Sequence, residues 1–233
     1  MKLHTSKIFN QEIETLKQMM LSMGYFCESQ ILKALEVFKS SDNQLANEII
    51  AADDNMNEFR DKIEMECISI IARRQPVADD LRLLISFIKI ASEFERIGDY
   101  ASYISKRSNL HQSQHLKQVD DLIMAMAKAC REMLAKAIDA LLAMDRETAI
   151  QVWHMDDDVD KLFFKTLNCL KNLKPSHDFT IERLSHILYI ARSFERIGDH
   201  VTNVAEDIYY ACVGKTYLSK QTRLFSDTMK ASA

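Results

Sequence analysis

The chain has 233 residues, room for one large domain or two of about 100, and its 30 Lys and Arg against 34 Asp and Glu leave a net charge of −4, which excludes the basic footprint of a nucleic-acid binder. Hydrophobic residues make up 47%, enough for a real core, yet there are only 4 Gly and 2 Pro, far below the usual ~12% combined, so turns are scarce and long helices are the natural reading. No run approaches the ~18 apolar residues of a membrane span, the longest candidate LLISFIKIAS being broken by Lys89, and the opening MKLHTSKIFNQEIETL lacks the apolar centre of a secretory signal.

The apolar residues recur with a helical 4-3 stagger. The first predicted helix carries Phe9, Ile13, Leu16, Met20, Met23, Cys27, Ile31, Ala34 and Phe38. The second follows Ser41-Asp42, an N-cap signal, and carries Leu45, Ile49, Ala52, Met56, Phe59 and Ile63. The third carries Leu84, Phe87, Ala91, Phe94, Gly98 and Ala101. The pattern then restarts. A fourth helix runs through Val119, Ile123, Met126, Cys130, Met133, Ala137 and Leu141. A fifth, capped by Asp145, runs through Thr148, Val152, Met155, Val159 and Leu162, and a sixth runs from Leu184 through Phe194 and Gly198 to Ile208.

The restart is a repeat. At an offset of 103, Met23 matches Met126, Cys27 matches Cys130, Lys33 matches Lys136, Ala34 matches Ala137 and Asp42 matches Asp145. The string FERIGD occurs at 94–99 and again at 194–199, an offset of 100, so three residues are missing from the connection before the sixth helix. Each repeat has its single Pro in that connection, Pro76 and Pro175, where it stops one helix before the next begins. The expected fold is all-α, with two tandem, similar three-helix bundles and six helices of ~25–35 residues, longer than the usual mean. The first bundle spans residues 1–110 and the second 111–214, with a boundary in HQSQHLKQ and Gly214 ending the sixth helix; residues 215–233 form a weakly ordered tail. The five Cys (27, 67, 130, 169, 212) include no CxxC pair and read as reduced thiols of a cytoplasmic protein.

The doubled motif has a geometric consequence. Glu95 and Asp99 are four apart, so they stack on one flank of the third helix. Asp53 and Asn57 stack likewise on the second. In an antiparallel hairpin turning at Pro76, Asp53 lies level with Asp99 and Asn57 level with Glu95. In the second repeat Asp156 pairs with Asp199 and Asp160 with Glu195, both centred between 177 and 178. Three carboxylates and an amide therefore converge in one repeat and four carboxylates in the other. Grouped carboxylates repel and have raised pKa values, and an all-oxygen set suits hard cations such as Mg²⁺, Ca²⁺, Mn²⁺ or iron. Ion pairs with nearby Arg or Lys are the competing reading. Arg192 stands three residues before Glu195, whereas repeat one has Ser92 there, so its acids look less neutralised. Arg96 and Arg196 read as solvent- or partner-facing. Gly98 and Gly198 cost ~1 kcal/mol in mid-helix relative to Ala and suit close helix approach. The Met stripe and Trp153 read as packing. His200 and His154 point away from the acids, no Glu-x-x-His appears, and no nucleophile–base pair lies in the motif.

The doubled ERIGD, the Asp-x-x-x-Asn and Asp-x-x-x-Asp partners and the string ARRQPVADDLR before the third helix together resemble the PhoU family, the phosphate-specific transport accessory proteins of bacteria, over residues 5–212. The resemblance implies a cytoplasmic homodimer of two similar bundles, an adaptor without catalytic residues that restrains phosphate uptake and the starvation response. Its implied partners are the ATPase subunit of the phosphate ABC transporter and a membrane sensor histidine kinase. It also implies divalent or trivalent metal ions (Fe, Mn, Mg, Zn or Ni) on Glu95, Asp99, Glu195 and Asp199, opposite Asp53, Asn57, Asp156 and Asp160. Two departures stand out: Asn57 makes the first cluster one negative charge weaker, and repeat two reads LKPSHDFTIERL in place of the RRQP string. Two other classes remain, a metal-storage or hydrolytic bundle and a plain dimerisation module; turnover of phosphate esters would mark the former, and indifference of melting to chelator and metal the latter.

Overall fold

The computed structural model describes residues 7–108, 116–172 and 180–216. Seven helical segments appear among them: α1 (Lys7–Ser40), α2 (Asn43–Ala51), α3 (Asp53–Arg74), α4 (Ala78–Ser108), α5 (Lys117–Ala143), α6 (Arg146–Lys171) and α7 (Ile181–Val213). The chain signals that start and stop them act locally. Asp42 accepts from the backbone N–H of Gln44 and Leu45 at 2.8 and 3.1 Å, and Asp145 accepts from Glu147 N–H at 2.9 Å and Thr148 Oγ1 at 2.6 Å. These are the two predicted caps, satisfying donors that a helix start leaves orphaned. Gly214 closes α7 at φ 74°, a left-handed conformation that suits its lack of a Cβ. Gln75 takes the same region at φ 48°. Pro76 follows it and disfavours the right-handed helix there, so α3 ends at Arg74.

The six expected helices are present, the second of them bent. The second is divided at Ala52, whose φ of −72° and ψ of −11° tighten the chain for one residue. Its N–H still bonds Glu48 at 3.0 Å and its carbonyl accepts from Asn55 at 3.1 Å. The bend starts a new helix at Asp53 and Asp54, two acids at the positive end of the α3 dipole. No Gly or Pro marks it. The first bundle is thus α1, α2–α3 and α4, and the second α5, α6 and α7.

The stagger of apolar residues becomes the core. Leu16, Met20, Met23, Phe87, Phe94, Cys130, Met133, Phe194 and Ile197 are fully buried, each larger side chain stabilising by about 1.5–3 kcal/mol relative to exposure. All five Cys are free thiols. Cys27 Sγ donates to the Phe94 carbonyl and Cys130 Sγ to the Phe194 carbonyl, both at 3.1 Å, so the matched Cys serve the same point of each motif helix. Trp153 is buried as packing and donates to Glu206 at 3.0 Å. The two bundles meet chiefly where α4 lies antiparallel to α7, with α1 crossing α5 beside it. Among the described residues no helix is long and apolar enough to cross a membrane. Pro175, the first five residues of HQSQHLKQ and the tail beyond 216 lie outside the described residues.

Candidate functional site

Each motif helix presents its two acids along the flank that faces the preceding helix. In the first cluster Asp53 begins α3, while Glu95 and Asp99 lie one turn apart on α4. Glu95 is only 8% exposed. Asp53 and Asp99 lie within hydrogen-bonding range, as their level positions across the hairpin require. Burial, then the charges of Glu95 and Asp53, push the Asp99 carboxyl up to about 6; Arg96 opposes them, and a hydrogen bond from the protonated acid to Asp53 adds to the rise. Asn57 occupies the expected flank but turns its amide nitrogen back to the Asp53 carbonyl at 3.2 Å rather than across the groove.

In the second cluster α6 is unbroken, and Asp156 sits in mid-helix at 1% exposure. Asp160 follows one turn later and acts on Glu195 across the helix pair. Burial, then the charge of Asp199, push the Glu195 carboxyl up to about 7; Arg192 and Arg196 pull it down and Asp160 pushes it further up. The close approach at the motif glycines is real at both sites. A Cβ on Gly98 would stand 2.9 Å from Met56 Cγ, and one on Gly198 would stand 2.7 Å from Asp156 Oδ1.

Two expectations about the surrounding cations need revising, and a third holds. The first cluster is not short of positive charge: Arg60 of α3 reaches Glu95 Oε1 at 2.6 Å. Arg192 does pair with Glu195 Oε1, at 2.7 Å. Arg96 and Arg196 are not turned wholly outward, for each stands 3.5 Å from the Asp of its own motif. The signal for Arg60 was present. Positions 60 and 92 centre on residue 76, just as Asp53 and Asp99 do, so Arg60 lies level with Ser92 and enters the place that Arg192 takes in repeat two. His200 stays outside the acid cluster, bonded to Glu93 of α4 at 2.7 Å and tilted over Tyr100 at 5.5 Å between centroids. His154 is exposed and edges onto Trp153.

The donors suit a hard cation in type, being oxygens throughout. Asp53 Oδ1 and Glu195 Oε2 are buried without a hydrogen bond, so each cluster retains an oxygen whose need for a donor is unmet, Arg196 Nε standing 3.9 Å from Glu195 Oε2. Spacing is less advanced: among the described residues no three His, Cys, Asp or Glu side chains are gathered closely enough to hold a metal ion. The residues therefore fit a hard cation in donor chemistry and in their unbonded oxygens, though not yet in spacing, with an arginine already on one glutamate oxygen of each cluster.

A model of the PhoU domain matches residues 20–108 and 123–208, once for each bundle. The chain is 32% identical over 222 residues to a phosphate-specific transport system accessory protein PhoU homolog of Caulobacter vibrioides (strain NA1000 / CB15N), covering 95% of this chain and 96% of that one. It is 36% identical over 215 residues to the PhoU of Serratia marcescens, covering 91% and 87%. Among solved structures it superimposes on PhoU from Pseudomonas aeruginosa with a TM-score of 0.83 at 33% identity, covering 89% of this chain and all of that one. It also superimposes on the phosphate transport system regulatory protein PhoU from Streptococcus pneumoniae with a TM-score of 0.84 at 27% identity, covering 91% and 100%.

Proposed function

This chain belongs to the PhoU family, and from that premise we propose that it is a cytoplasmic regulatory adaptor of phosphate transport rather than an enzyme. It restrains phosphate uptake and the starvation response when phosphate is plentiful. It does so by coupling the ATPase subunit of a phosphate ABC transporter to a membrane sensor histidine kinase, acting as a homodimer. The observation that carries the reading is the match of both bundles, in order and nearly end to end, to relatives named as phosphate-specific transport accessory proteins. Elongated paired helices offer long polar flanks to partner proteins, and the doubled motif fixes the charge of one such flank in each bundle.

Asp53, Asn57, Glu95 and Asp99 hold one hard cation site, and Asp156, Asp160, Glu195 and Asp199 the other. A bound metal would neutralise and stiffen the flank. The protein's own residues supply the rest: Gly98 and Gly198 let the helices close, and Arg96 and Arg196 screen the outer Asp of each motif. The unbonded Asp53 Oδ1 and Glu195 Oε2 support this part of the reading.

Deleting the gene tests the regulatory role. In phosphate-replete medium the deletion should raise phosphate uptake and switch on the starvation response; unchanged uptake and an unchanged response would overturn the reading. Elemental analysis tests the metal part. Purified protein should lose metal when Glu95, Asp99, Glu195 and Asp199 are all changed to Ala, and equal metal in both proteins would count against it.

A further inference from the structure

Both clusters place a guanidinium on the same glutamate oxygen, but they take it from opposite helices. Arg60 comes from α3 to Glu95 Oε1 at 2.6 Å, and Arg192 comes from α7 to Glu195 Oε1 at 2.7 Å. The repeat alignment makes this a double exchange. The position matching Arg60 is Phe163, and the position matching Arg192 is Ser92. Positions 60 and 92 lie level across the first hairpin and 163 and 192 level across the second, so one volume is filled by an arginine from either wall. In repeat two the opposite wall became a support: the Arg192 guanidinium lies over the Phe163 ring at 5.5 Å from its centroid, a geometry that favours a cation. Solvated flank arginines have no reason to exchange in concert; a positive charge needed at that oxygen does. The need is visible in Glu195, nine-tenths buried, whose second oxygen has no hydrogen bond and meets Arg196 Nε only at 3.9 Å.

We infer that Arg60 and Arg192 are built-in counterions that compete with a metal cation for Glu95 and Glu195, and so set the metal affinity of the two clusters. The inference rests on the metal reading above. The two arginines are held unequally. Arg60 also grips Asp61 Oδ1 through Nε at 3.1 Å and Nη2 at 2.9 Å, and its side chain is 30% exposed. Arg192 is steadied by an aromatic face, and its side chain is 44% exposed. The second cluster also has Asp160 where the first has Asn57. The second cluster therefore takes up metal first.

Calorimetric titration of the full chain with Mn²⁺ tests this. Wild type should bind at two unequal sites. Arg192→Ala should tighten the stronger site about tenfold, the factor carried by ~1.4 kcal/mol, and Arg60→Ala should tighten the weaker one by at least as much. Arg192→Lys, which keeps the charge, should stay near wild type. Phe163→Leu keeps the arginine and removes its support; it should tighten the stronger site by a smaller factor, which also guards against a misfolded Arg192→Ala. Binding by wild type with unchanged or weaker binding by the Ala variants would overturn the competition alone. Absence of Mn²⁺ uptake by wild type and all variants would overturn both the competition and the metal reading.

Discussion

The first repeat begins its acid cluster at a helix end, while the second buries its cluster in mid-helix. Asp53 opens α3 beside a one-residue bend at Ala52; its counterpart Asp156 lies ten residues into an unbroken α6 at 1% exposure. The core devices are nonetheless shared: Cys27 and Cys130 donate to the same motif carbonyl, and both glycines admit a neighbour to within 3 Å of where a Cβ would stand. On the flanks, matched positions carry different chemistry. Lys89 pairs with Asp207 at 3.1 Å across the seam between bundles, whereas the matching positions form a cation–π contact, Arg107 over Tyr189 at 4.1 Å. Packing tolerates little change because a misplaced methylene costs volume directly, while a charge can be met from any wall that reaches it. The repeat has therefore kept its core residues in place and moved its cations.

The largest effect expected from breaking this comparison is at the glycines. Gly198→Ala drives a methyl into the buried Asp156 carboxylate and should destabilise the protein by about 1–3 kcal/mol in chemical denaturation. Gly98→Ala meets the adaptable Met56 side chain and gains up to ~1 kcal/mol of helix propensity, so its net loss should be smaller; the reverse order would show that the two helix contacts are not the same device. Next come the counterions. Arg60→Ala should cost about 1–2 kcal/mol, between the values for exposed and buried pairs, and Arg192→Ala less, in line with its greater exposure. The exchange can also be transplanted. Arg60→Phe with Ser92→Arg rebuilds the second repeat's solution in the first and should recover all but about 0.5 kcal/mol of what Arg60→Phe alone loses. A double variant no more stable than the single one would mean that the two walls are not interchangeable.

The last expected effect is a pH dependence, read as a slope. Asp99 and Glu195 have folded-state values raised to about 6 and about 7, so the folded protein holds their protons more tightly than the unfolded chain. Their contribution is fully present below about pH 4 and is lost as pH rises through the folded values. In metal-free buffer the melting temperature should decline between pH 5 and pH 8. Glu195→Gln should flatten the upper part of that decline, and an unchanged slope would assign it elsewhere.

Much of this architecture is readable from the chain because a helix writes its buried face every three to four residues, and few Gly or Pro interrupt it. Asp42, Asp145 and Gly214 mark ends through side-chain or backbone chemistry confined to one turn. The level placement of Asp53 against Asp99 follows from the hairpin alone. The bend at Ala52 escapes because nothing in the sequence NEIIAADDN distinguishes a tightened turn from a continuous helix. Arg60 escapes because a long side chain on the facing helix has no periodic signature; only the cross-hairpin level of positions 60 and 92 points to it. Asn57 sits on the expected flank, yet the sequence does not say that its amide bonds its own helix.

The central claim, that this two-bundle protein acts as an adaptor of phosphate transport, is tested most directly by affinity capture of the tagged full chain from its own cells grown in high phosphate, with partners identified by mass spectrometry. The account predicts recovery of a phosphate-transporter ATPase, a sensor histidine kinase, or both. Recovery of neither under gentle lysis would contradict it.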